Sequence, residues 1–194
     1  MSKPVNVAAL LHAGDGNAVA IGAPDRETMS RAELMRLVDQ VGGALRGMGI
    51  KAADKVAIVM PNGPEMAAAF VAVACWACAA PLNPVYRADE FDFYLGDIDA
   101  KALIIQAEPG SPARAVAAQR KIPIIDLTPQ MNKPAGSFTL SVPFGDAGKA
   151  SPSPDAAALV LHTSGTTSRP KIVPLTHRNL VISAQNIART LALT

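Results

Sequence analysis

Nine consecutive residues, Thr163-Ser-Gly-Thr-Thr-Ser-Arg-Pro-Lys171, bring five hydroxyls, a glycine and two cations into one short stretch. That set suits the holding of an oxygen-rich anion. Thr163, Ser164, Thr166, Thr167 and Ser168 can donate hydroxyl hydrogens, Gly165 lets backbone N–H groups approach closely, and Lys171 supplies a point charge. Donors gathered around one phosphate hold it better than the same donors scattered over a surface. A Ser/Thr-rich stretch taken alone is ordinarily a solvated turn. Here the flanks argue for more, because the apolar segments AAALVL (156–161) and IVPL (172–175) make the stretch a loop between two strands. A Walker phosphate loop is disfavoured: it needs two glycines separated by four residues, then Lys and Ser or Thr, then a helix. Here Pro170 precedes the lysine and a strand follows it.

Other chemistry-bearing residues carry weaker signals. His162 stands immediately before the loop, where it either shapes the loop or packs, and His177 either touches a ligand or bonds locally at a helix start. Asp89 and Glu90 are adjacent on a predicted helix and so diverge; they read as charge at a helix start rather than an acid–base pair. Trp76 and Tyr86 read as core or contact aromatics. Cys75 and Cys78 lie inside an apolar run and lack further ligands at zinc spacing, so they read as core thiols in a reducing cytoplasm.

The elements that must position the loop alternate along the chain. Short or buried strands are predicted at Ala18–Ile21, Lys55–Met60, Ala102–Gln106 and Ile122–Asp126, with helices between them. Ser30 and Glu33 have capping-box spacing, and Leu34, Leu37, Val38, Val41, Leu45 and Met48 recur on one helical face that Gly49 is placed to end. Pro64 and Glu65 open a second helix, and the run from Met66 to Ala80 reads as one buried helix followed by a turn at PLNP (81–84). Further helices are predicted over Ala88–Ile98 and from Ser111-Pro112. A last one starts near Thr176, with Leu180, Ala184, Ile187 and Leu191 on one face. This rhythm predicts an α/β fold with a mainly parallel sheet. Residues 128–155, with five prolines, read as a surface connection carrying a short strand around Phe138–Val142. The expected organisation is therefore an α/β subdomain over 1–127, this connection, and a strand-loop-strand-helix segment over 156–194.

Composition supports a folded chain: 194 residues, 49% hydrophobic, with positive mean hydropathy. A formal charge of +2 without basic clusters excludes a nucleic-acid footprint. The most apolar run falls short of the roughly 20 residues that span a bilayer. A cytoplasmic location is expected.

TSGTTSRPK resembles the phosphate-binding signature of the AMP-forming adenylating enzymes, the superfamily of acyl-CoA synthetases, nonribosomal-peptide adenylation domains and beetle luciferases. The similarity extends through GIKAADKVAIVMPNGPE, PLNPVYRADEFDFYL and PLTHRNL. It implies the amino-terminal part of an acyl-CoA synthetase-like large domain, with ATP, magnesium and coenzyme A serving the full-length enzyme. In such an enzyme a carboxylate attacks the α-phosphate of ATP, pyrophosphate leaves, and a thiol displaces AMP. By position, Thr163, Ser164, Gly165, Thr166, Thr167 and Lys171 match the phosphate-gripping residues. Ser168 departs from the usual glycine, Cys78 from a helix-ending glycine, and Ala53 from the glycine before Asp54. The flavour of HTSGTTSRPK and VPLT most resembles the oxalate-CoA ligase branch, so a small carboxylate is the favoured partner. The chain is expected to stop before the adenine, ribose and hinge motifs, to hold no catalytic residue and no metal ligand of its own, and to be inactive alone. The alternative is a non-catalytic phosphate- or partner-binding module. Apolar surface left by truncation predicts self-association.

Overall fold

The computed structural model describes residues 5–108, 110–145, 148, 152–163 and 170–192. In chain order the elements are α1 (Val7–His12), β1 (Val19–Ile21), β2 (Met29–Ser30), α2 (Arg31–Gly47), β3 (Lys55–Val59), α3 (Pro64–Trp76), β4 (Cys78–Leu82) and α4 (Ala88–Asp97). There follow β5 (Ala100–Gln106), α5 (Pro112–Gln119), β6 (Ile124–Pro129), β7 (Phe138–Leu140), β8 (Ala157–Thr163), β9 (Lys171–Thr176) and α6 (His177–Thr190). β1 and β2 form a small antiparallel pair, and the other strands make one seven-stranded sheet in the order β7-β6-β5-β3-β4-β8-β9. The five inner strands run parallel; β7 and β9 close the edges antiparallel. The predicted α/β class is what forms.

β3 is central, and its side chains alternate between two cores. Val56 and Ile58 face a layer built from α1, α2 and α3, while Ala57 and Val59 face α4 and α5. Both faces are sealed, which is why KVAIV reads as a continuous apolar run. On the first face α2 is opened by the predicted capping box: Ser30 Oγ accepts from Glu33 N–H, and Glu33 Oε2 accepts from Ser30 N–H at 2.8 Å. The predicted stripe from Leu34 to Leu45 is buried, and the chain leaves the helix through Gly49 at φ +80°. α3 is apolar on nearly every side because it lies beneath α2 against the sheet. The two helices approach closely at Gly42, where an added Cβ would lie 2.2 Å from the Trp76 ring.

One predicted element is corrected. The run from Met66 to Ala80 is not a single helix: α3 ends at Trp76, Ala77 turns to extended backbone at φ −147°, and Cys78–Leu82 is a strand. Alanines favour helix, but here the open side of β3 decides otherwise. Cys78 N–H donates to Asp54 O at 2.9 Å, and each residue from Cys78 to Leu82 pairs along Lys55–Val59. Three smaller differences follow the same logic. Residues 7–12, read only as an apolar patch, form α1, and β2 exists because it pairs with β1. In α6, His177 and Val181 turn inward, while Ile187 and Leu191 of the predicted face stay 52% and 62% exposed. Among the described residues no helix is long and apolar enough to cross a membrane.

Arg26 pins three segments together. Its Nη1 pairs with Glu65 Oε1 at the start of α3, and its Nη2 donates to the carbonyls of Gln130, Lys133 and Pro134, each at 3.2 Å. The two side chains are only 10% and 14% exposed, so removing one leaves the other's charge poorly solvated. Arg26→Ala is expected to cost about 3 kcal/mol, and Arg26→Lys to recover little, because an ammonium cannot reproduce the fork. Urea unfolding measures this directly; a loss under about 1 kcal/mol, the range of a surface pair, would refute it.

Candidate functional site

The loop singled out by sequence is the tip of the β8–β9 hairpin. The ladder runs Leu159↔Leu175, Val160↔Pro174, Leu161↔Val173, His162↔Ile172 and Thr163↔Lys171. Thr163 and Lys171 thus form the pair that closes the loop, both exposed. Directly opposite residues of an antiparallel pair share a face, with Cβ atoms about 5 Å apart. A hydroxyl and an ammonium are therefore presented together at the mouth of the loop. The other predicted binding residues, Ser164, Gly165, Thr166 and Thr167, lie outside the described residues.

The next pair, His162↔Ile172, turns to the opposite face. The His162 side chain is 6% exposed, and its Nε2 lies 3.0 Å from Oδ2 of Asp97, the last residue of α4. The ring meets Tyr94 edge-on at 4.5 Å between centroids; Tyr94 stacks on Tyr86 at 4.8 Å, and Tyr86 meets Phe91 edge-on at 5.8 Å. Burial, and then hydrogen bonding with Tyr94, pushes the Tyr86 hydroxyl up to about 12. Asp97 was invisible to sequence reasoning: it lies 65 positions from His162, and no local spacing links the two.

His177 takes the structural of its two possible roles. It is 2% exposed, its Nδ1 accepts from Val7 N–H at 3.4 Å, and its own N–H donates to Ala156 O at 3.0 Å. It thereby ties α1 to the base of the hairpin. Asn6 does the same from the other side, capping α1 through Ala9 N–H and donating to Pro152 O at 2.9 Å. Glu90 accepts from Arg87 N–H at the start of α4, so the Asp89-Glu90 pair serves the helix, as its position suggested. Cys75 and Cys78 are fully buried, and burial raises their thiols to about 12 and about 11. They remain protonated, poor nucleophiles and poor metal ligands at neutral pH. No cluster of three potential metal-ligating side chains occurs among the described residues.

The chain is an open, mainly parallel α/β sheet with a hydroxyl-rich sequence between the paired Thr163 and Lys171 at one edge. A family profile described as "AMP-binding enzyme" matches residues 10–193. The chain belongs to this family of AMP-binding enzymes. It is 40% identical over 191 residues to the oxalate–CoA ligase of Arabidopsis thaliana, covering 91% of this chain and 37% of the relative. It is 39% identical over 171 residues to the probable CoA ligase CCL9 of Humulus lupulus, covering 82% of this chain and 31% of the relative. Among solved structures, ATP-bound MatB from Rhodopseudomonas palustris superposes with a TM-score of 0.78 at 23% identity, over 96% of this chain and 37% of that one. The chain thus spans about a third of the length of these relatives.

The buried His177 makes stability depend on pH in a defined direction. Desolvation lowers its pKa below the ordinary 6.5, so below that value the unfolded chain binds a proton that the folded chain resists. The contribution is complete above pH about 6.5 and is lost as pH falls through and below it. His177→Asn keeps an acceptor for Val7 N–H without a titrating ring. Its melting temperature is expected to fall less than the wild type's between pH 7.5 and 5.5, by thermal denaturation at matched ionic strength; equal falls would exclude His177 as the cause.

Proposed function

We propose that this chain is the amino-terminal part of an AMP-forming acid–CoA ligase that converts a carboxylate and ATP to an acyl-adenylate and pyrophosphate, then to a thioester. The observation carrying the reading is the Thr163↔Lys171 pair at the mouth of TSGTTSRPK, in a chain that resembles CoA ligases along nearly its whole length. Thr163, Ser164, Gly165, Thr166, Thr167 and Lys171 hold the β- and γ-phosphates in this reading. Their donors fit that cargo: hydroxyls bond the phosphate oxygens, and Lys171 offsets the charge that builds as pyrophosphate departs. Magnesium, when bound, would neutralise charge on the nucleotide's phosphates. Coenzyme A supplies the thiol of the second half-reaction.

The favoured acid is small, oxalate first, by similarity to the Arabidopsis ligase. Residues 1–127 form the first α/β layers, 128–155 connect, and 156–194 carry the phosphate hairpin. A reducing cytoplasm suits two buried free thiols. The second reading is a phosphate- or partner-binding module without turnover. In isolation the chain self-associates through the exposed Ile182 and Ile187 of α6 and Leu191 at its C-cap, so light scattering should find species heavier than 20.1 kDa; a strictly monomeric chain would refute this.

Carboxylate-dependent ATP–pyrophosphate exchange separates the readings. It is measured on the 194-residue chain and on the polypeptide of the complete reading frame containing it, with oxalate, malonate, acetate, a medium-chain fatty acid and a coumarate. Exchange by the longer polypeptide and silence from the short one is expected. Lys171→Ala should lower the longer polypeptide's exchange by at least about a hundredfold, the scale of losing one charge-stabilising donor. Exchange with an acid other than oxalate keeps the chemistry and removes the small-acid preference; silence with every acid favours the module.

A further inference from the structure

The outer half of the hairpin is poorly held by the sheet. β8 pairs with β4 through a single register pair, Ala79↔Leu159, and the four residues after Leu159 have no partner strand on that side. At strand rise Thr163 lies about 13 Å beyond that pair with β4, while its main chain stays paired with β9. The reason lies in β4. Cys78 N–H points to the β3 side, toward Asp54 O, and alternate residues of a strand point to opposite neighbours. Pro81, three residues on, therefore faces β8, where it has no N–H to offer. The ladder stops where that donor is missing.

What replaces the ladder is a side-chain contact. His162 is the last inward-facing residue before the loop, and its ring is fixed by Asp97 at 3.0 Å and by Tyr94 at 4.5 Å. A carboxylate accepts and does not donate, so the tautomer that fits this contact has Nε2–H donating a hydrogen bond to Oδ2. Asp97 closes α4, a helix with no basic residue in its last turn, and a negative charge there is opposed by the helix dipole. A donor at that carboxylate offsets the opposition. We propose that Asp97 and His162 are positioning residues, a clamp that reaches from α4 to the free end of β8 and sets the direction in which Thr163 and Lys171 face a bound phosphate chain. The clamp itself rests on geometry alone; its service to phosphate rests on the reading of the loop given above.

The test uses the full 194-residue chain, inorganic pyrophosphate as probe, and the variants Asp97→Ala, Asp97→Asn and His162→Phe. Amide hydrogen exchange is read at Leu161, Thr163, Lys171 and Val173, with Val56 and Ile58 of β3 as the internal control, and pyrophosphate affinity by calorimetric titration. Expected are exchange faster by about tenfold at the hairpin end in Asp97→Ala and His162→Phe, unchanged exchange in β3, and pyrophosphate binding weakened in step. Asp97→Asn, which keeps an acceptor, should recover most of both. Unchanged exchange at the hairpin end in Asp97→Ala overturns the clamp. Faster exchange with undiminished pyrophosphate binding overturns the positioning role. A wild-type chain that binds no pyrophosphate removes the phosphate reading and the positioning role with it, while the exchange data still decide whether the clamp exists. If β3 exchange also rises, that variant has lost its fold, and His162→Phe, or Asp97→Ala where His162→Phe is the one affected, then decides: faster hairpin exchange over an unchanged β3 supports the clamp, and unchanged hairpin exchange overturns it.

Discussion

Everything in this domain follows from a strand that must be covered on both faces. Val56, Ala57, Ile58 and Val59 are all at most 2% exposed, and a parallel neighbour on each side leaves no room for a hairpin return. Each crossover must carry a helix over one face or the other. α3 takes the first face and α4 and α5 take the second, so the core divides into two clusters separated by the sheet. With both faces sealed and the order running outward from β3 in both directions, the only strands free to turn back antiparallel are at the edges, β7 and β9. The loop with the phosphate-like composition is at such an edge.

That placement has an energetic consequence. An edge hairpin has a partner strand on one side for much of its length, and side chains of other elements reach its other side. Two groups do so at opposite ends. At the base, His177 and Asn6 tie α1 and the segment near Pro152 to the strand starts through buried hydrogen bonds, and losing either partner leaves a buried polar group unsatisfied. Nearer the tip, the ring of His162 meets the carboxylate of Asp97 and the face of Tyr94. Between them Pro81 offers no N–H to β8, and beyond the Ala79↔Leu159 pair the main-chain partner of β8 is β9.

Much of this was legible beforehand, for identifiable reasons. The capping box of α2, its buried stripe and the glycine that ends it are local: cap, period and φ lie within 20 residues of one another. The strand-loop-strand frame of the site was likewise legible, because apolar runs flank a polar one. The division of Met66–Ala80 into helix and strand was not. CAAPL is poor in β-branched residues and contains a proline, and only the open side of β3 makes it a strand. Asp97 escaped for a related reason: its partner is brought to it by the crossover from β4 and the placement of β8, and neither is written in the residues near it.

The sequence by itself determined the α/β class, the local helix signals and the chemistry available in the loop, since residue type and short-range period decide those directly. The tertiary structure alone decided that Thr163 and Lys171 stand opposite each other at the loop's mouth and that His177 is buried rather than poised at a ligand. It also decided that His162 meets Asp97. Each of these depends on contacts between residues far apart in the chain, and such contacts are set by strand order and burial, which no single stretch of sequence carries.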